Sequence, residues 1–374
     1  MKKIGIVTLH GYWNYGNRLQ NYALKKVLEN LGYEVDTTVI SKNNKSSNFE
    51  IIKKKLSLRK ILVTIRNLFI PSIGRRIREN LNSHSLRVNA FKTFSDMNLS
   101  ENFLTLSNKK DIQILKEYDY FVAGSDQIWN PLEIDKMSVY FLDFAHPKKR
   151  ISYAASFGRT DIPENLIEKY KYWLNGMKTY SVREKAGADI VWNLVQQRAS
   201  VHLDPTMLLS KKEWLEISNK AHNRPEESYI LTYFLGGPSI ETREKIQKIA
   251  LEKNMTVINL GDITEKDSYE TGPAEFIDYI NNASLFYTDS FHGVAFSILL
   301  ETPFIVFKRL KSGPSMYSRI ETLLEKFAFM ERQDFTFSGD AFEMDFSNSH
   351  RILEQEKEKS INYLKESLQD KERK

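Results

Sequence analysis

A nearly continuous run of apolar residues in the second half of the chain predicts a β-α-β unit. The sequence LFY at 285–287 predicts a buried strand, and the apolar segment 291–300 predicts a helix with Ser290 as its N-cap. A proline ends this helix, and residues 304–307 predict a second buried strand. The elements themselves contain almost no polar residue, which is typical of the buried strands and helices of an α/β protein.

Three polar residues stand where the first of these strands ends and the helix begins: Asp289, Ser290 and His292. Ligands of open α/β sheets bind at that edge, and the free N–H groups of a helix start favour an anion. His292 is therefore either a capping or core histidine, or a histidine beside a bound anion that acts as an acid or a phosphate ligand. We interpret Ser290 as a cap rather than as a nucleophile.

The N-terminal pattern predicts a second unit of the same kind. A strand over 4–9, a helix over 21–31 and a strand from 33 onward follow one another, with Gly32 at the end of the helix. The polar and aromatic segment 10–20 predicts a loop at the ligand-binding edge of a Rossmann-like domain. It lacks the GxGxxG pattern, so a dinucleotide is not indicated.

Four residues of this predicted loop are candidates for ligand binding: Asn14, Gly16, Asn17 and Gln20. The amide side chains offer hydrogen-bond donors near a helix start, and a glycine lets the backbone approach a ligand closely. A simple tight turn is the alternative for Gly16.

A strand predicted over 118–123 ends in the sequence GSDQIWNP, where the proline predicts a loop. Asp126 beside Trp129 is typical of a saccharide-binding loop, because hydroxyls need polar partners and sugar faces stack on indole. The alternative is a structural loop in which Asp126 is a capping carboxylate.

Arg183 stands at the end of a further short strand, 180–184. At such an end its guanidinium group is a candidate anion clamp, and a surface ion pair with Glu184 is the alternative. The sequence HLDPT that follows places Asp204 and Pro205 in a predicted turn.

A polar stretch at 219–228 separates two α/β halves and predicts a domain boundary. We expect a Rossmann-like domain over 1–220, with a basic insertion at about 41–100, and a second one over 226–345. Residues 346–374 predict a charged helix that either packs back on the first domain or is solvated. Two Rossmann-like domains facing a cleft are similar to the glycosyltransferase-B architecture.

Cysteine is absent from the 374 residues, which excludes disulfides and thiolate metal sites. No metal-ligand cluster is visible in the sequence, and we expect no metal. The first apolar run is too short for a signal peptide, and no stretch approaches the roughly 20 apolar residues of a membrane span. We therefore expect a cytoplasmic protein.

The net charge of +6 is concentrated in one segment, because residues 53–92 contain eleven basic residues and one acid. Apolar residues interleave with these charges, as in amphipathic segments that lie on anionic membrane surfaces. A helical insertion with a solvated basic face is the alternative, and nucleic acid is not favoured.

Six motifs occur in an order that resembles the polysaccharide pyruvyl transferase family: NYGNRLQNYAL, AGSDQIWNP, ISYAASFG, SVREKAG, HLDPTMLL and TDSFHGVAFSILLETPFIVF. The resemblance extends over about residues 3–326 and leaves out the basic insertion and the tail. It implies transfer of pyruvate from phosphoenolpyruvate to a saccharide, such as a capsule or exopolysaccharide precursor, with formation of a ketal. Phosphoenolpyruvate is then a co-substrate, and no cofactor is implied.

The resemblance also implies roles for individual residues. His292 is the acid or phosphate ligand, and Arg183 is the clamp for carboxylate or phosphate. Asp126 shapes the acceptor side and is a candidate base for a sugar hydroxyl. The substrate-binding candidates are Asn14, Gly16, Asn17, Gln20, Ser125, Trp129, Ser290, Lys308 and Arg319. Lys308 and Arg319 compete for the role of a further basic residue.

Two other functions are compatible with these patterns. The first is a glycosyltransferase of similar architecture that uses a nucleotide-sugar donor. The second is a saccharide-binding or assembly protein without catalysis. If the acceptor is a lipid-linked precursor, contact of the basic insertion with the inner face of the plasma membrane fits the family.

Overall fold

The computed structural model describes residues 1–42, 71–310 and 317–369, and it describes only the backbone of 71–78. The strands are β1 (Lys3–Val7), β2 (Glu34–Ser41), β3 (Glu101–Thr105), β4 (Tyr120–Ala123), β5 (Arg150–Ser152), β6 (Ser181–Val182), β7 (Ser200–Val201), β8 (Tyr229–Tyr233), β9 (Thr256–Leu260), β10 (Leu285–Thr288) and β11 (Phe304–Val306). The helices are α1 (Tyr15–Asn30), α2 (Pro71–Asn98), α3 (Lys109–Lys116), α4 (Met137–Tyr140), α5 (Ile167–Asn175), α6 (Lys185–Val195), α7 (Lys211–Ile217), α8 (Ile240–Glu252), α9 (Lys266–Tyr269), α10 (Pro273–Asn282), α11 (Phe291–Leu300), α12 (Ser318–Phe327) and α13 (Ser347–Ser367).

The first sheet has the strand order β3-β2-β1-β4-β5, and all of its pairs are parallel. The strand order reverses between β1 and β4, because β2 and β3 lie on one side of β1 and β4 and β5 lie on the other. This order is typical of the Rossmann fold. The short pair β6-β7 continues the same edge, because Ala155 bridges Val182 and Ile151 bridges Thr179. We call this sheet and the helices up to α7 the first lobe.

The second sheet has the order β11-β10-β8-β9 and is also parallel. We call this sheet and the helices α8 to α12 the second lobe. The prediction of an α/β protein with two Rossmann-like halves is therefore confirmed. The predicted boundary at 219–228 lies between α7 and β8 and stays a prediction.

The unit β10-α11-β11 forms the centre of the second lobe, as the apolar pattern predicts. The bounds of α11 are the predicted ones, and every residue of the helix is buried. Ser290 caps it, since its Oγ accepts a hydrogen bond from the Gly293 N–H at 3.3 Å. β10 lies between β8 and β11, which explains why it contains no charged residue.

The first helix begins at Tyr15, six residues before the predicted start. Asn14 is its N-cap, because the side-chain oxygen accepts a hydrogen bond from Asn17 N–H at 3.1 Å. Gly16, Asn17 and Gln20 therefore lie on helix α1 and not in a loop, which corrects the sequence interpretation. The apolar pattern missed this turn because three of its buried residues, Asn17, Arg18 and Gln20, are polar.

The C-terminal helix α13 packs on the first lobe, which is the first of the two alternatives for the tail. The hydroxyl of Tyr363 donates a hydrogen bond to the carbonyl oxygen of Ser152 at 2.8 Å. Lys178 in turn donates to the carbonyl oxygen of Ser367 at 2.8 Å. The chain thus returns from the second lobe and ties the two lobes together.

The predicted basic insertion connects β2 to β3, and residues 43–70 of it lie outside the described part of the chain. Its described part includes helix α2, where Arg87 is buried and not solvated. Arg87 Nη1 donates to the hydroxyl of Tyr15 and to the carbonyl oxygen of Tyr269, both at 2.6 Å. This basic residue therefore holds the two lobes together. Among the described residues, no helix has the length and apolar character needed to cross a bilayer.

Candidate active site

His292 lies at the contact between the two lobes, on the first turn of α11. Its imidazole packs directly on Gly16 of α1 in the first lobe. A Cβ atom at residue 16 would be 1.9 Å from Nδ1 of His292, so a side chain does not fit there. The imidazole is 6% exposed. The carboxyl edge of the second sheet therefore meets that of the first at this histidine.

The carboxylate of Asp204 is the centre of the cluster, although the sequence analysis assigned it only to a turn. Its Oδ2 accepts hydrogen bonds from Arg183 Nη1 at 2.7 Å and from Ser125 Oγ at 2.9 Å. The same atom lies 3.5 Å from His292 Nε2, which is longer than an ordinary hydrogen bond. Oδ1 accepts from the N–H and the hydroxyl of Thr206 at 3.0 and 2.8 Å.

These contacts explain the charge state of Asp204. Burial by itself raises the pKa of a carboxyl group, but here the charges of His292 and Arg183 outweigh it and hold the pKa of Asp204 well below its usual range. The carboxylate thus stays ionised and connects a cation of its own lobe with the imidazole of the other lobe. The Asp-Pro-Thr sequence, in which a side chain caps the following turn, was the available signal for this residue.

Arg183 is buried between two carboxylates. Besides its bond to Asp204, its Nη2 lies 3.4 Å from Oδ1 of Asp126. Burial lowers the pKa of a guanidinium group, but these two carboxylates outweigh it and raise the pKa of Arg183. The alternative of a surface pair with Glu184 is not what the structure shows, because Glu184 Oε1 accepts hydrogen bonds from the backbone N–H groups of Phe157 and Gly158.

Asp126 joins the cluster from the turn after β4, where its φ of 75° is in the left-handed region. Its Oδ1 accepts a hydrogen bond from Gln127 N–H at 2.9 Å. Although burial raises its pKa, the charges of Arg183, His292 and Arg319 outweigh it, and the pKa lies below the usual value. This contact is the capping interaction that is the alternative for Asp126, while the role of base stays a prediction.

Arg319 of α12, and not Lys308, joins this cluster. The guanidinium groups of Arg319 and Arg183 lie 5.7 and 4.4 Å from the centre of the Phe291 ring. Burial and the charge of Arg183 lower the pKa of Arg319 to about 10. Lys308 is exposed, and its Nζ lies 4.2 Å from the ring of Phe335. Of the two candidates for a further basic residue, the structure therefore favours Arg319 over Lys308.

The predicted binding residues of the first lobe position the backbone around the cluster. Gln20 Oε1 accepts a hydrogen bond from Ser125 N–H at 2.9 Å, and its Nε2 donates to Thr8 Oγ1 at 3.0 Å. Asn17 Nδ2 donates to the carbonyl oxygen of Leu9 at 2.7 Å. Ser125 therefore lies where its hydroxyl reaches Asp204, and Asn14 caps α1 as described above.

Trp129 is a core residue, which corrects its interpretation as a saccharide platform. The indole is 0% exposed and stacks on Phe141 with ring centres 4.7 Å apart. Its Nε1 donates to the carbonyl oxygen of Tyr140 at 3.3 Å. Neither face of the ring is open to a ligand, because the turn after β4 folds the indole under the first sheet.

Asp289 has a structural function at the edge of the second sheet. Its two carboxylate oxygens accept hydrogen bonds from the N–H groups of Leu235 and Gly236, at 2.6 and 2.9 Å. The side chain thus ties the end of β8 to the end of β10. Within residues 1–42, 71–310 and 317–369, no group of three or more metal-ligating side chains is arranged to hold a metal ion.

The arrangement is suited to a small anion and to proton transfer. Two guanidinium groups and an imidazole meet at the N-terminus of α11, where backbone N–H groups also favour negative charge. Carboxylates of the first lobe hold these groups in position. Arg183, Asp204 and His292 are each less than one-tenth exposed, so the cluster is largely shielded from solvent.

Comparison with known proteins identifies one family. A family model described as polysaccharide pyruvyl transferase matches residues 14–310, which is most of the chain. The match includes His292, Arg183, Asp126 and Asp204. No curated protein sequence matches the chain significantly.

Three solved structures are similar to this chain at low identity. A candidate UDP-N-acetylglucosamine 2-epimerase from Listeria monocytogenes has 12% identity, covers 94% of this chain and 95% of its own, and gives a TM-score of 0.47. The UDP-GlcNAc 2-epimerase of Methanocaldococcus jannaschii has 12% identity, coverage of 94% and 99%, and a TM-score of 0.44. MurG of Acinetobacter baumannii has 9% identity, coverage of 97% and 95%, and a TM-score of 0.41.

Proposed function

This chain belongs to the polysaccharide pyruvyl transferase family, and we propose that it transfers pyruvate from phosphoenolpyruvate to a saccharide, with formation of a ketal. The acceptor in this proposal is a precursor of a cell-surface polysaccharide, such as a capsule or an exopolysaccharide. Phosphoenolpyruvate is the co-substrate, and inorganic phosphate is the second product.

One observation supports a donor with several negative charges. The guanidinium groups of Arg183 and Arg319 lie against the same ring, and burial together with the charge of Arg183 lowers the pKa of Arg319 to about 10. An anion bound near both groups relieves this repulsion and restores the affinity of Arg319 for its proton. Phosphoenolpyruvate has a carboxylate and a phosphate, so one substrate offers an anionic group to each of the two guanidinium groups.

The first step is transfer of a proton to the methylene carbon of phosphoenolpyruvate. His292 is the proposed donor, because its imidazole lies between the lobes with Nε2 3.5 Å from the carboxylate of Asp204. The carbon that bears the phosphate then becomes electron-poor, and one saccharide hydroxyl adds to it and loses its proton. Asp126 is the proposed acceptor of that proton, since its low pKa keeps the carboxylate ionised.

The second step closes the ketal. The bond between the central carbon and the phosphate oxygen breaks, and a second hydroxyl of the same saccharide forms the second carbon–oxygen bond. The two hydroxyls release two protons, which balance the one taken up by the methylene carbon and the one that leaves with phosphate. Asp204 does not touch substrate in this scheme, and it positions Arg183 and His292 relative to each other.

A lipid-linked acceptor and contact with the membrane surface are further parts of the proposal. The basic residues that would make this contact lie mainly outside the described residues. Deletion of 53–78 is expected to reduce co-sedimentation with anionic vesicles at low salt. If sedimentation is unchanged, the membrane contact is wrong.

The test of the reaction uses purified protein, phosphoenolpyruvate and oligosaccharide repeat units from the producing cell's surface polysaccharide, freed of ketals with mild acid. We expect phosphate release in equal amount to a pyruvate ketal, detected by mass spectrometry. Thermal-shift measurements with phosphoenolpyruvate and with UDP or GDP separate this function from a nucleotide-sugar glycosyltransferase. Stabilisation by a nucleotide together with no response to phosphoenolpyruvate would overturn the proposal.

A further inference from the structure

Trp13 is an indole that is held in place and yet exposed. It is 42% exposed, while one of its faces stacks on the His84 ring at 4.4 Å with an angle of 18° between the planes. The Nδ1 atom of His84 lies 2.9 Å from the Tyr269 hydroxyl in the second lobe. The carbonyl oxygen of Trp13 accepts a hydrogen bond from Arg87 Nη2 at 3.4 Å. His84 thus covers one face of the indole, and the other face is directed outward.

The position of Trp13 places it beside the proposed reaction centre. It lies between the end of β1 and the start of α1, at the edge of the first sheet where ligands bind. Only two residues lie between it and Gly16, so the two Cα atoms are three steps along the chain and at most about 11 Å apart. Gly16 contacts His292 directly. Trp13 therefore lies within the length of a short oligosaccharide from His292.

The loop that contains Trp13 also contains other aromatic and polar groups. The ring of His10 makes edge contacts with Tyr12 and with Phe103, which is 61% exposed. Nε2 of His10 lies 3.5 Å from a carboxylate oxygen of Glu101. Flat apolar faces beside donors and acceptors suit a saccharide, whose rings have both. A protein or membrane interface requires a larger continuous apolar area.

We propose that the outward face of Trp13 is a stacking subsite for the acceptor saccharide. This inference rests on the proposed function for the identity of the ligand, and it assigns the role that the sequence analysis gave to Trp129. The subsite contributes to binding of the acceptor and not of phosphoenolpyruvate, because the indole lies outside the cluster of Arg183 and Arg319.

The experiment compares Trp13→Ala and Trp13→Phe with the unchanged protein in binding and in turnover. The probe is the ketal-free oligosaccharide repeat unit described above, titrated by calorimetry without phosphoenolpyruvate. We expect Trp13→Ala to weaken binding about tenfold and Trp13→Phe to restore part of it, as an aromatic contact of this kind predicts. In turnover, KM for the oligosaccharide rises and KM for phosphoenolpyruvate does not.

Trp192 provides a matched control, because it is a similarly exposed indole, at 46%, on helix α6. Trp192→Ala is expected to leave KM for the oligosaccharide and KM for phosphoenolpyruvate unchanged. Equal binding of the oligosaccharide by Trp13→Ala and the unchanged protein would overturn the subsite. So would a rise in both KM values together with a lower melting temperature, since that pattern indicates a structural role for Trp13.

Failure of the subsite and failure of the proposed function give different results. If the oligosaccharide binds in a manner that depends on Trp13 and no ketal forms, the reaction is wrong and the subsite stands. If the ketal forms and Trp13→Ala has the same KM for the oligosaccharide, the reaction stands and the subsite is wrong. If the unchanged protein neither binds nor converts the oligosaccharide, both are wrong.

Discussion

Gly16 and His292 are in direct contact across the two lobes, and the contact exists because residue 16 has no side chain. A Cβ atom there would lie 1.9 Å from Nδ1 and 2.2 Å from Cγ of the imidazole. Helix α1 of the first lobe and helix α11 of the second thus meet with their N-terminal turns at this point. The identity of one residue in the first lobe therefore determines where the proposed acid of the second lobe lies.

Gly16→Ala is expected to displace the imidazole and to reduce turnover by about 100-fold, because a misplacement of roughly 1 Å has effects of that size. Because the imidazole of His292 is rigid and buried, it cannot move aside without disturbing its neighbours. A loss of about 1–3 kcal/mol in the free energy of unfolding is therefore also expected. Turnover assays and urea denaturation measure the two effects. Gly11→Ala is the control, since its Cβ would meet Trp13 at an ordinary 3.4 Å. Equal turnover of the two variants would contradict the prediction.

His292→Gln is expected to lower kcat by about 10²- to 10⁴-fold, the range for loss of a general acid. The folded structure should persist, because glutamine also fills the space beside Gly16. The control is His350→Ala, which removes an exposed imidazole that is bonded to Glu301. Near-full turnover of His292→Gln with phosphoenolpyruvate and the correct acceptor would show that another group supplies the proton.

Arg319→Gln is expected to raise KM for phosphoenolpyruvate by about 30-fold or more, since truncation of a buried charged contact costs at least about 2 kcal/mol. Lys308→Gln should have little effect, because Lys308 is exposed and its Nζ lies over the ring of Phe335. Steady-state kinetics of the two variants decide between the candidates that the sequence left open. A larger increase in KM for phosphoenolpyruvate in Lys308→Gln than in Arg319→Gln would instead indicate that Lys308 binds the anion.

Asp204→Ala is expected to reduce the free energy of unfolding by about 3–5 kcal/mol, because it leaves the buried Arg183 without its closest carboxylate. Asp204→Asn should cost less, since the amide retains the shape and some hydrogen bonds. Denaturant titrations measure both. Glu168→Ala serves as control, as it removes an exposed partner of Lys171 and should change nothing measurable. A similar result for Asp204→Ala and Glu168→Ala would exclude Asp204 as the centre of the cluster.

Two buried groups predict losses of stability in two separate pH ranges. Burial, with a smaller contribution from the charge of Lys326, lowers the pKa of His202 to about 4. The unfolded chain binds this proton near pH 6.5, so stability falls as the pH decreases from about 6.5 to about 4. Asp204 has a depressed pKa, so its contribution is complete above about pH 4 and is lost below that value.

Denaturation of His202→Gln and Asp204→Asn across this pH series separates the two groups. The first variant should lose the slope between pH 6.5 and 4, and the second should lose part of the slope below pH 4. The slopes, rather than the absolute stabilities, are the quantities to compare, because both substitutions also change packing. A slope above pH 4 that is the same in His202→Gln would mean that folding does not lower the pKa of His202.

The sequence by itself determined the elements whose signals are local. The bounds of α11, its cap at Ser290 and the buried strands on either side follow from neighbouring residues, because period and capping are properties of a few consecutive positions. The order of six motifs identified the family. The predicted start of α1 was wrong by six residues. Asn17 and Gln20 are polar residues on a buried face of the helix, so they interrupt the apolar pattern.

Only the tertiary structure decided which residues meet. Gly16, Asp204 and His292 are far apart in the chain, and their contact depends on how two sheets pack, which no local pattern encodes. The same holds for the two tryptophans, since Trp129 is buried under the first sheet and Trp13 is exposed on the edge near His292. Both stand beside polar residues in the sequence, and burial depends on what covers a side chain after folding.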